Sequence, residues 1–296
     1  MEKTGQTVEH GRSFYEPDFP LAVRQESLRI PASRPHRHAD FWDLGIVLRG
    51  QAVLNVEKQS YDLLPGDIFV IGEGQLHNYS RIRGFTCCNI LMNLPSLGIP
   101  LGDLPARPGY QLLFVIDRQN TARDRFRNRF RLDPGELGHA LGLVHTLKRL
   151  VPERRFEAIA QLMLLIGYLC DCAENTVESA LGIPWQLSLI AAEMEKHSER
   201  KFSVEAMSRK ANMSRAGFFR RFRQYYGSSP LEYLLKLRIR RGMQLLRDTA
   251  LSCGEIAVSC GFADSSYFAL HFRRQTGMSP REYRRAAGAA DAPVSV

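Results

Sequence analysis

The sequence predicts an α+β multidomain protein in which a strand-rich N-terminal domain precedes an all-α C-terminal domain. Short alternating stretches broken by turn residues fill residues 10–132, and helical periodicity replaces them from Asp133 onward. A 20-residue pattern also occurs twice near the C-terminus. The 296 residues, 44% hydrophobic and 24% charged, have the composition of an ordinary globular chain.

The net charge is unevenly distributed along the chain. Residues 1–186 carry 21 basic and 21 acidic side chains, whereas residues 187–296 carry 19 basic and 10 acidic ones. The whole formal charge of +9 therefore lies in the last 110 residues. This asymmetry indicates that the C-terminal domain binds a polyanion.

The cysteines and the N-terminus indicate the compartment. The six cysteines form no Cys-x-x-Cys pair, and the first residues lack the apolar core of a signal peptide. The longest mostly apolar stretch, residues 158–170, has 13 residues and is too short to span a bilayer. We expect a cytoplasmic protein with no membrane partner.

Residues 41–71 predict short strands separated by turns. Alternating apolar and polar residues mark the strands, and Arg49-Gly50 and Pro65-Gly66-Asp67 supply the turns. Short strands at this spacing favour a sandwich or a small barrel.

Residues 109–116 and 122–132 predict two further strands. In the second, arginine occupies every other position, so a strand would place all of these side chains on one face. We expect that face to be solvated, with a contact to a polyanion or a partner as the alternative. The arginines are Arg123, Arg125, Arg127, Arg129 and Arg131.

Residues 133–175 predict a helical segment. Asp133 as N-cap and Pro134 at the first helical position begin a helix that ends near Leu150. A second helix, residues 156–173, is apolar nearly all round, so its second face packs on another copy of the chain or on the core of its own domain. We interpret the segment as a dimerisation element and the polar residues 176–186 as a linker.

The repeat aligns residues 214–233 with residues 264–283 at a constant offset of 50, with eight identities in 20 positions. Each copy follows the pattern of a helix-turn-helix: a short capped helix, a turn, and a longer helix that ends at glycine. The longer helices begin after Ser214 and Asp264, and a connecting helix over residues 230–247 joins the copies. Its 18 residues span about 27 Å, against about 34 Å between successive major grooves.

In the first longer helix Phe218 and Phe222 are four residues apart and must face the core, which turns other side chains outward. The outward residues are Arg215, Ala216, Phe219 and Arg220 in the first copy, and Ser265, Ser266, Ala269 and Leu270 in the second. Further arginines are expected to bind phosphates: Arg273, Arg274, Arg281, Arg284 and Arg285.

Residues 187–285 resemble the DNA-binding domain of the AraC/XylS transcriptional regulators, whose signature is similar to residues 261–285, GFADSSYFALHFRRQTGMSPREYRR. The resemblance implies that the outward residues of both longer helices contact bases of double-stranded promoter DNA. The family often has Arg where Leu270 stands, so the second helix is expected to pack against thymine methyl groups or read DNA shape.

The N-terminal domain resembles the cupin-like β-barrel effector domain of the same family. His36-x-His38, Asp43 and Gly50 are similar to a first cupin motif, and Gly66, Gly72-Glu73-Gly74 and His77 to a second. Two positions depart from the pattern, since Gly72 replaces the usual Pro and Arg81 the usual Asn. The stretch PHRHADFWDLGIVLRG is most similar to the rhamnose-responsive subgroup of the family.

The barrel is expected to bind a small organic effector, such as a monosaccharide, without a metal or another cofactor. Carboxylate and imidazole groups would bind hydroxyls, and an aromatic ring would stack on the sugar. The expected effector residues are His36, His38, Trp42, Asp43, His77 and Tyr79. Two alternatives remain open: His36, His38, Asp43 and His77 bind a divalent metal, or the histidines are structural.

The sequence thus predicts a one-component transcription regulator with a cupin-like sensor at residues 10–132, a helical dimerisation segment at 133–175, a linker at 176–186 and a double helix-turn-helix domain at 187–286. Effector binding would change how a homodimer sits on DNA and on RNA polymerase. The rivals are a metal-dependent cupin enzyme fused to a DNA-binding tail and a regulator that needs no ligand. The residue patterns leave activation and repression equally open.

Overall fold

The computed structural model describes residues 7–57, 59–99, 101–116, 129–177 and 183–290. The chain divides into two compact units, residues 1–188 and residues 189–296.

The first unit is built on a mixed sheet with helices packed against it. Its strands are β1 (Thr7–Glu9), β2 (Leu21–Ser27), β3 (His36–His38), β4 (Trp42–Val56), β5 (Gln59–Leu63), β6 (Asp67–Ile71), β7 (His77–Met92) and β8 (Arg129–Arg131). The strand order is β1-β3-β7-β4-β6-β8, with β2 also paired to β7 and β5 to β4. β1 and β3 are parallel, and the other pairs are antiparallel.

β4 is one continuous strand, so the predicted chain reversal at Arg49-Gly50 is wrong. Register shifts between Val47 and Val53 bend β4 where it pairs with β7. Gly50 has φ +72°, and a Cβ there would lie 2.2 Å from the carbonyl oxygen of Gly84. Gly50 therefore marks a β-bulge, which bends a strand without ending it. The turn at Pro65 and Gly66 is confirmed, because β5 ends before it and β6 begins after it.

Residues 108–115 are helical, so the predicted strand at 109–116 is wrong. A short turn of helix, α1 (Pro108–Tyr110), continues as a π-helix over Gln111–Val115. Residues 109–114 are all buried, and a run that is apolar on every side shows no periodicity to separate strand from helix. Pro108 is suited to the first helical position. Gly109 lets the turn approach the backbone of Cys170, where a Cβ would lie 2.4 Å from the carbonyl oxygen.

The arginine-rich strand is described only as β8. Arg131 forms a bidentate ion pair with Asp67, with Nε and Nη2 at 2.8 and 3.0 Å from the carboxylate oxygens. Arg129 donates to the carbonyl oxygen of Asp62 at 3.3 Å. These two arginines hold β8 on the sheet. The remaining arginines of the predicted face, Arg123, Arg125 and Arg127, lie outside the described residues.

Two long helices, α2 (Pro134–Leu150) and α3 (Arg155–Val177), confirm the predicted helical segment. Asp133 and Glu136 form a capping box, with each side chain accepting a hydrogen bond from the other's backbone N–H. Both helices pack on one face of the sheet, where β4 supplies Leu44 and Ile46 to the shared core. Val47 points to the opposite face and joins a second core with β5 and β7, as the alternation of a strand requires.

α3 extends beyond the predicted helix of residues 156–173, and its apolar stretch is longer than the 13 residues read from the sequence. Over residues 155–175 it is long and apolar enough to cross a membrane by length and composition, although it is part of the core of this unit. Its Phe156 and Leu164 side chains are 82% and 61% exposed.

The predicted linker at 176–186 is too long at both ends. α3 continues to Val177, and α4 (Ile183–Lys196) begins before residue 186. Residues 178–182 lie outside the described residues. The other proposed domain boundaries stay predictions.

The second unit contains two helix-turn-helix copies, as predicted. Its helices after α4 are α5 (Val204–Lys210), α6 (Arg215–Tyr226), α7 (Pro230–Asp248), α8 (Cys253–Ser259), α9 (Ser265–Thr276) and α10 (Pro280–Ala290). α6 and α9 are the longer helices of the two copies and α7 is the connecting helix. Ser214 and Asp264 cap α6 and α9, and both helices end at a left-handed glycine.

α7 links the second copy to the turn that precedes the first. The Arg238 guanidinium donates to the carbonyl oxygens of Ser198 and Arg200, both at 2.8 Å. Gly261, with φ +81°, lies against the same turn, because a Cβ there would be 2.4 Å from the carbonyl oxygen of Glu199. Backbone contact at Gly261 and the two Arg238 hydrogen bonds, one partly buried and one exposed, therefore join the copies into one domain.

Candidate DNA-reading surface and effector site

α6 presents the predicted reading residues outward. Phe218 and Phe222 are fully buried, which leaves the opposite side of the helix in solvent. Arg215, Ala216, Phe219 and Arg220 are all exposed. Their contact with bases stays a prediction, but the orientation that it requires is present.

The two arginines of this surface differ in their surroundings. Arg215 Nη1 lies 2.7 Å from the Glu205 carboxylate of α5, and both side chains are more than half exposed. Arg220 is exposed and forms no ion pair that the described residues record. Arg215 must leave Glu205 to bind DNA, whereas Arg220 is already available.

A shallow concavity of about 650 Å³ runs beside α6. It is lined by Val204, Arg215, Ala216, Phe219, Arg220, Arg223 and Leu231. The sequence analysis did not assign Val204, Arg223 and Leu231 to the reading surface. Leu231 could have been recognised, because it is an apolar residue directly after Pro230, which begins a helix. The groove places apolar surface beside three arginines, a combination that suits a thymine methyl group next to a phosphate.

α9 carries the second set of reading residues on the same scaffold. Ser265, Ser266 and Leu270 are exposed and Ala269 is partly exposed. Tyr267 is 49% exposed and its ring lies 4.4 Å from the His271 ring. The sequence analysis did not include this pair. Tyr267 aligns with Gly217 of the first copy, which has no side chain to present.

The arginines near the C-terminus divide into two groups. Arg273, Arg274, Arg281 and Arg285 are described among the exposed or partly exposed residues, as phosphate contacts require. Arg284 instead donates to the carbonyl oxygens of Leu246 and Leu251, at 3.3 and 2.6 Å. The Arg284 guanidinium therefore stabilises the end of α7, and its contact with phosphate stays a prediction.

In the first unit a group of polar side chains is buried on the face of β4 and β7 that carries the second core, the face of Val47. Asn89 Nδ2 donates to Asp43 Oδ2 at 2.7 Å, and Tyr79 is in the same core. Among the described residues, Asp43 Oδ1 is buried without a hydrogen-bond partner, and the Tyr79 hydroxyl and Asn89 Oδ1 meet no partner at full hydrogen-bond geometry, although the Asn89 side chain lies close enough to Tyr79 to lower its pKa. An unpaired buried polar atom costs about 1–3 kcal/mol, so these atoms favour a ligand that can pair with them.

Burial dominates the electrostatics of this polar group. It raises the pKa of Asp43 from 3.8 to about 7, and the hydrogen bond from Asn89 opposes only part of that shift. Burial also raises the pKa of Tyr79 well above its usual value. Near neutral pH, Asp43 can therefore accept a hydrogen bond as a carboxylate or donate one as an acid.

The predicted effector residues separate into three places. His36, His38 and His77 converge on each other, and Asp43 lies with Tyr79 and Asn89. Trp42 faces the other side of β4, where its ring lies 5.7 Å from Phe114. The spacing of the motif did not show this separation, and Asn89 was missed because its partner is 46 positions away.

Comparison with known proteins agrees with this architecture. The family described as the AraC-like ligand binding domain matches residues 27–166, and the family described as a helix-turn-helix domain matches residues 207–286. Together these matches cover more than half of the chain.

Similar proteins include whole-length relatives and a solved domain. The transcriptional activator RhaS of Escherichia fergusonii is 28% identical over 265 residues, covering 88% of this chain and 92% of that protein. RhaS of Salmonella typhimurium is 26% identical over 285 residues, covering 94% of this chain and 97% of that protein.

The crystallised DNA-binding domain of AdpA, in complex with a target DNA, is 39% identical. The match covers 36% of this chain and 96% of that domain, with a TM-score of 0.35. The two family matches together show that the chain belongs to the AraC family of DNA-binding transcriptional regulators, with an AraC-like ligand-binding domain followed by an AraC-type helix-turn-helix domain.

Proposed function

We propose that this regulator activates transcription in response to a monosaccharide bound in its N-terminal domain. One observation carries the sugar: polar atoms of Asp43, Asn89 and Tyr79 are buried together, and Asp43 Oδ1 has no hydrogen-bond partner among the described residues. The relatives named RhaS are called activators, which supports activation rather than repression. The comparisons return transcription regulators and so argue against an enzyme.

A sugar satisfies these atoms because each hydroxyl both donates and accepts a hydrogen bond. Asp43 Oδ1 and Asn89 Oδ1 would accept from two hydroxyls, and the Tyr79 hydroxyl would donate to a third oxygen. The neighbouring aromatic ring of Phe85, whose centroid lies 5.5 Å from that of Tyr79, supplies an apolar face for the ring carbons. Trp42 has no part in this arrangement because it faces the other core.

The exposed face of α3 supports a homodimer. Phe156, Ala160 and Leu164 lie four residues apart and are all exposed, which forms an apolar stripe on one side of the helix. Two stripes from two copies would bury each other. A dimer would present four reading helices to the promoter, and sugar binding would shift the population toward the form that contacts RNA polymerase. Such a regulator acts in the cytoplasm, where its promoter is.

The test measures thermal unfolding of the full chain against a panel of monosaccharides, with promoter binding followed by fluorescence anisotropy. A ligand that binds the folded state raises the midpoint, and the same sugar should change promoter affinity. Asp43→Asn should remove both responses. Asp62→Asn, an exposed carboxylate on β5, is the matched control and should keep both.

Two outcomes would contradict the proposal. If no monosaccharide shifts the midpoint or the affinity, the domain senses another class of effector or none. If Asp43→Asn responds as the unchanged chain does, the sugar binds elsewhere.

A further inference from the structure

The register of three strands brings histidines and a glutamate to one place. His36 is paired directly with His77 between β3 and β7, and Glu9 with His38 between β1 and β3. Directly paired residues share a face of the sheet, as do residues two apart on one strand. Glu9, His36, His38 and His77 therefore lie on the same face.

The three imidazoles are close enough to share one ion. One ring nitrogen from each of His36, His38 and His77 lies within 4.8 Å of the others. Ring centroids are 4.2 Å apart for His36 and His77, and 4.6 Å apart for His38 and His77. Nitrogens that share a zinc ion lie roughly 3–4 Å apart, so small rotations of the rings bring all three onto one ion.

The hydrogen bonds of two rings orient a free nitrogen toward the cluster. His36 Nδ1 lies 3.1 Å from the carbonyl oxygen of Arg34, and His77 Nδ1 lies 3.2 Å from that of Gln75. In the neutral tautomer that donates from Nδ1 to these carbonyl oxygens, Nε2 of each ring carries the lone pair. Metal-binding histidines usually donate their other nitrogen in this way, which fixes the ring and its tautomer.

His38 adds a second, independent sign of a ligand. Its side chain is only 2% exposed, and its Nδ1 is buried without a partner among the described residues. The ring packs on Phe41 with centroids 4.2 Å apart, which holds it against the other two imidazoles.

One cation lies between the two histidines of β3. The intervening cation, Arg37, forms an ion pair with Glu57 at 3.1 Å, so it does not leave an unpaired positive charge beside the histidines.

Glu9 provides the nearest carboxylate. Its Oε2 lies 3.7 Å from His36 Nε2, and its strand partner is His38. The carboxylate that the sequence motif suggested, Asp43, is not a member of the cluster. Glu9 also lies outside this group of atoms, so the observed donor set is three imidazoles, and the Glu9 carboxylate must move to become a fourth ligand.

We propose that His36, His38 and His77 bind a divalent transition-metal ion, with Glu9 as the fourth ligand, and that the ion fastens β1 to β3 and β7. Three nitrogens and one oxygen suit Zn²⁺ or a neighbouring divalent ion, whereas Ca²⁺ and Mg²⁺ take oxygen ligands. The site is separate from the Asp43 group, so the domain would hold a structural ion and an effector at the same time.

The experiment titrates the tag-free, full-length chain with ZnCl₂ by calorimetry and with Co²⁺ by visible absorption, without sugar or DNA. We expect one ion per chain, the absorption of four-coordinate Co²⁺, and a higher unfolding midpoint with metal. His38→Ala and His77→Ala should weaken binding by at least about 100-fold, more than the loss of an outer-sphere partner does. Glu9→Gln should weaken it about 10-fold or more.

Controls separate this site from other donors. His145→Ala and Glu153→Gln remove exposed side chains of the same types in the same unit and should bind as the unchanged chain does. Cys253→Ser tests thiol binding, because the other five cysteines are buried. His36→Ala keeps the test usable if the buried variants fail to fold, since the His36 side chain is 17% exposed.

Three results would overturn the proposal: no ion bound by the unchanged chain, unchanged affinity in the folded His36→Ala chain, or loss of binding in Cys253→Ser. Unchanged affinity in Glu9→Gln would remove Glu9 from the ligand set. A chain that binds Zn²⁺ but ignores sugars would refute the proposed function and leave the metal site standing, and the reverse result would do the opposite.

Discussion

The two helix-turn-helix copies have the same scaffold and different surfaces. Phe218 and Phe222 are fully buried in the first copy, as Phe268 and Phe272 are in the second. The ring centroids of the two pairs are 5.7 and 5.5 Å apart. On the exposed side, the first copy presents arginines beside an apolar groove, whereas the second presents serines and Leu270.

The copies also differ in the turn that joins their helices. Four residues separate α5 from α6, and five separate α8 from α9. Each turn has one residue at positive φ, Asn212 at 51° and Gly261 at 81°. The extra residue moves the short helix relative to the long one. Glu255 therefore falls at the capping-box position of α8, whereas Glu205 of α5 is free to pair with Arg215.

The comparison teaches that the buried pattern determines the fold of each copy and the exposed residues determine what it reads. Arginine on α6 suits hydrogen bonds to bases, and Leu270 with the serines of α9 suits methyl contacts and phosphate positioning. Four predictions follow this division, from the largest expected effect to the smallest.

Phe218→Ala and Phe268→Ala should each cost about 3–5 kcal/mol of folding free energy, because each removes a fully buried ring and leaves a cavity. Denaturant unfolding followed by circular dichroism measures the loss. Phe219→Ala, at a residue that is 39% exposed, is the matched control and should cost far less. A small loss in only one of the buried variants would show that the two scaffolds are not equivalent.

Arg220→Ala should weaken binding to the specific promoter by about 1–3 kcal/mol, and Leu270→Ala by less, because only the arginine can form a bidentate base contact. Fluorescence anisotropy on specific and scrambled duplexes measures both. Arg149→Ala removes an exposed charge from the other unit and controls for net charge. Equal losses on both duplexes would assign Arg220 to phosphate contact instead.

Ser214→Ala and Asp264→Ala should each lower stability by about 1 kcal/mol, because each removes the N-cap of a reading helix. Ser214 Oγ accepts from the N–H of Gly217 at 3.1 Å, and Asp264 Oδ1 accepts from that of Tyr267 at 2.7 Å. Asp264→Ala should cost more, since its charge also interacts with the helix dipole. Thermal unfolding checks the order, with Ser265→Ala as the neutral control.

Glu205→Gln should raise DNA affinity slightly, by about 0.2–1 kcal/mol, because it frees Arg215 from an exposed ion pair. Glu255→Gln should leave DNA affinity unchanged and lower stability slightly, because the amide oxygen can still accept from the Ser252 N–H and only the negative charge at the helix N-terminus is lost. The two anisotropy titrations are compared at one salt concentration. The comparison between the copies is wrong if Glu255→Gln raises DNA affinity by as much as Glu205→Gln does.

The helical half of the molecule was predictable because its signals are local. The caps at Ser214 and Asp264, the terminal glycines and the phenylalanines four residues apart all act within one or two turns of a helix. The outward position of Arg220 followed from that spacing. The exception is Arg284, whose partners, Leu246 and Leu251, are more than 30 positions away.

The strand-rich half was predicted less well because strand pairing is long-range. Gly50 reads as a turn in the sequence and is a bulge in the structure, since β7 pairs with β4 on both sides of it. The helix at Pro108–Tyr110 was not predicted, because a stretch of residues that is buried on every side shows no hydrophobic periodicity to separate a helix from a strand. The long strand β7 was not predicted at all.

The amino-acid sequence by itself determined the family, the repeated reading domain, the basic C-terminal half and the identity of the histidines. Only the tertiary structure decided how the polar residues of the strand-rich domain are grouped. Strand register placed Glu9 beside His36 and His38, and the pairing of β4 with β7 placed Asp43 beside Asn89. The physical reason is that a motif specifies residue types along one chain, whereas a binding site depends on which strands pair and which face each side chain takes.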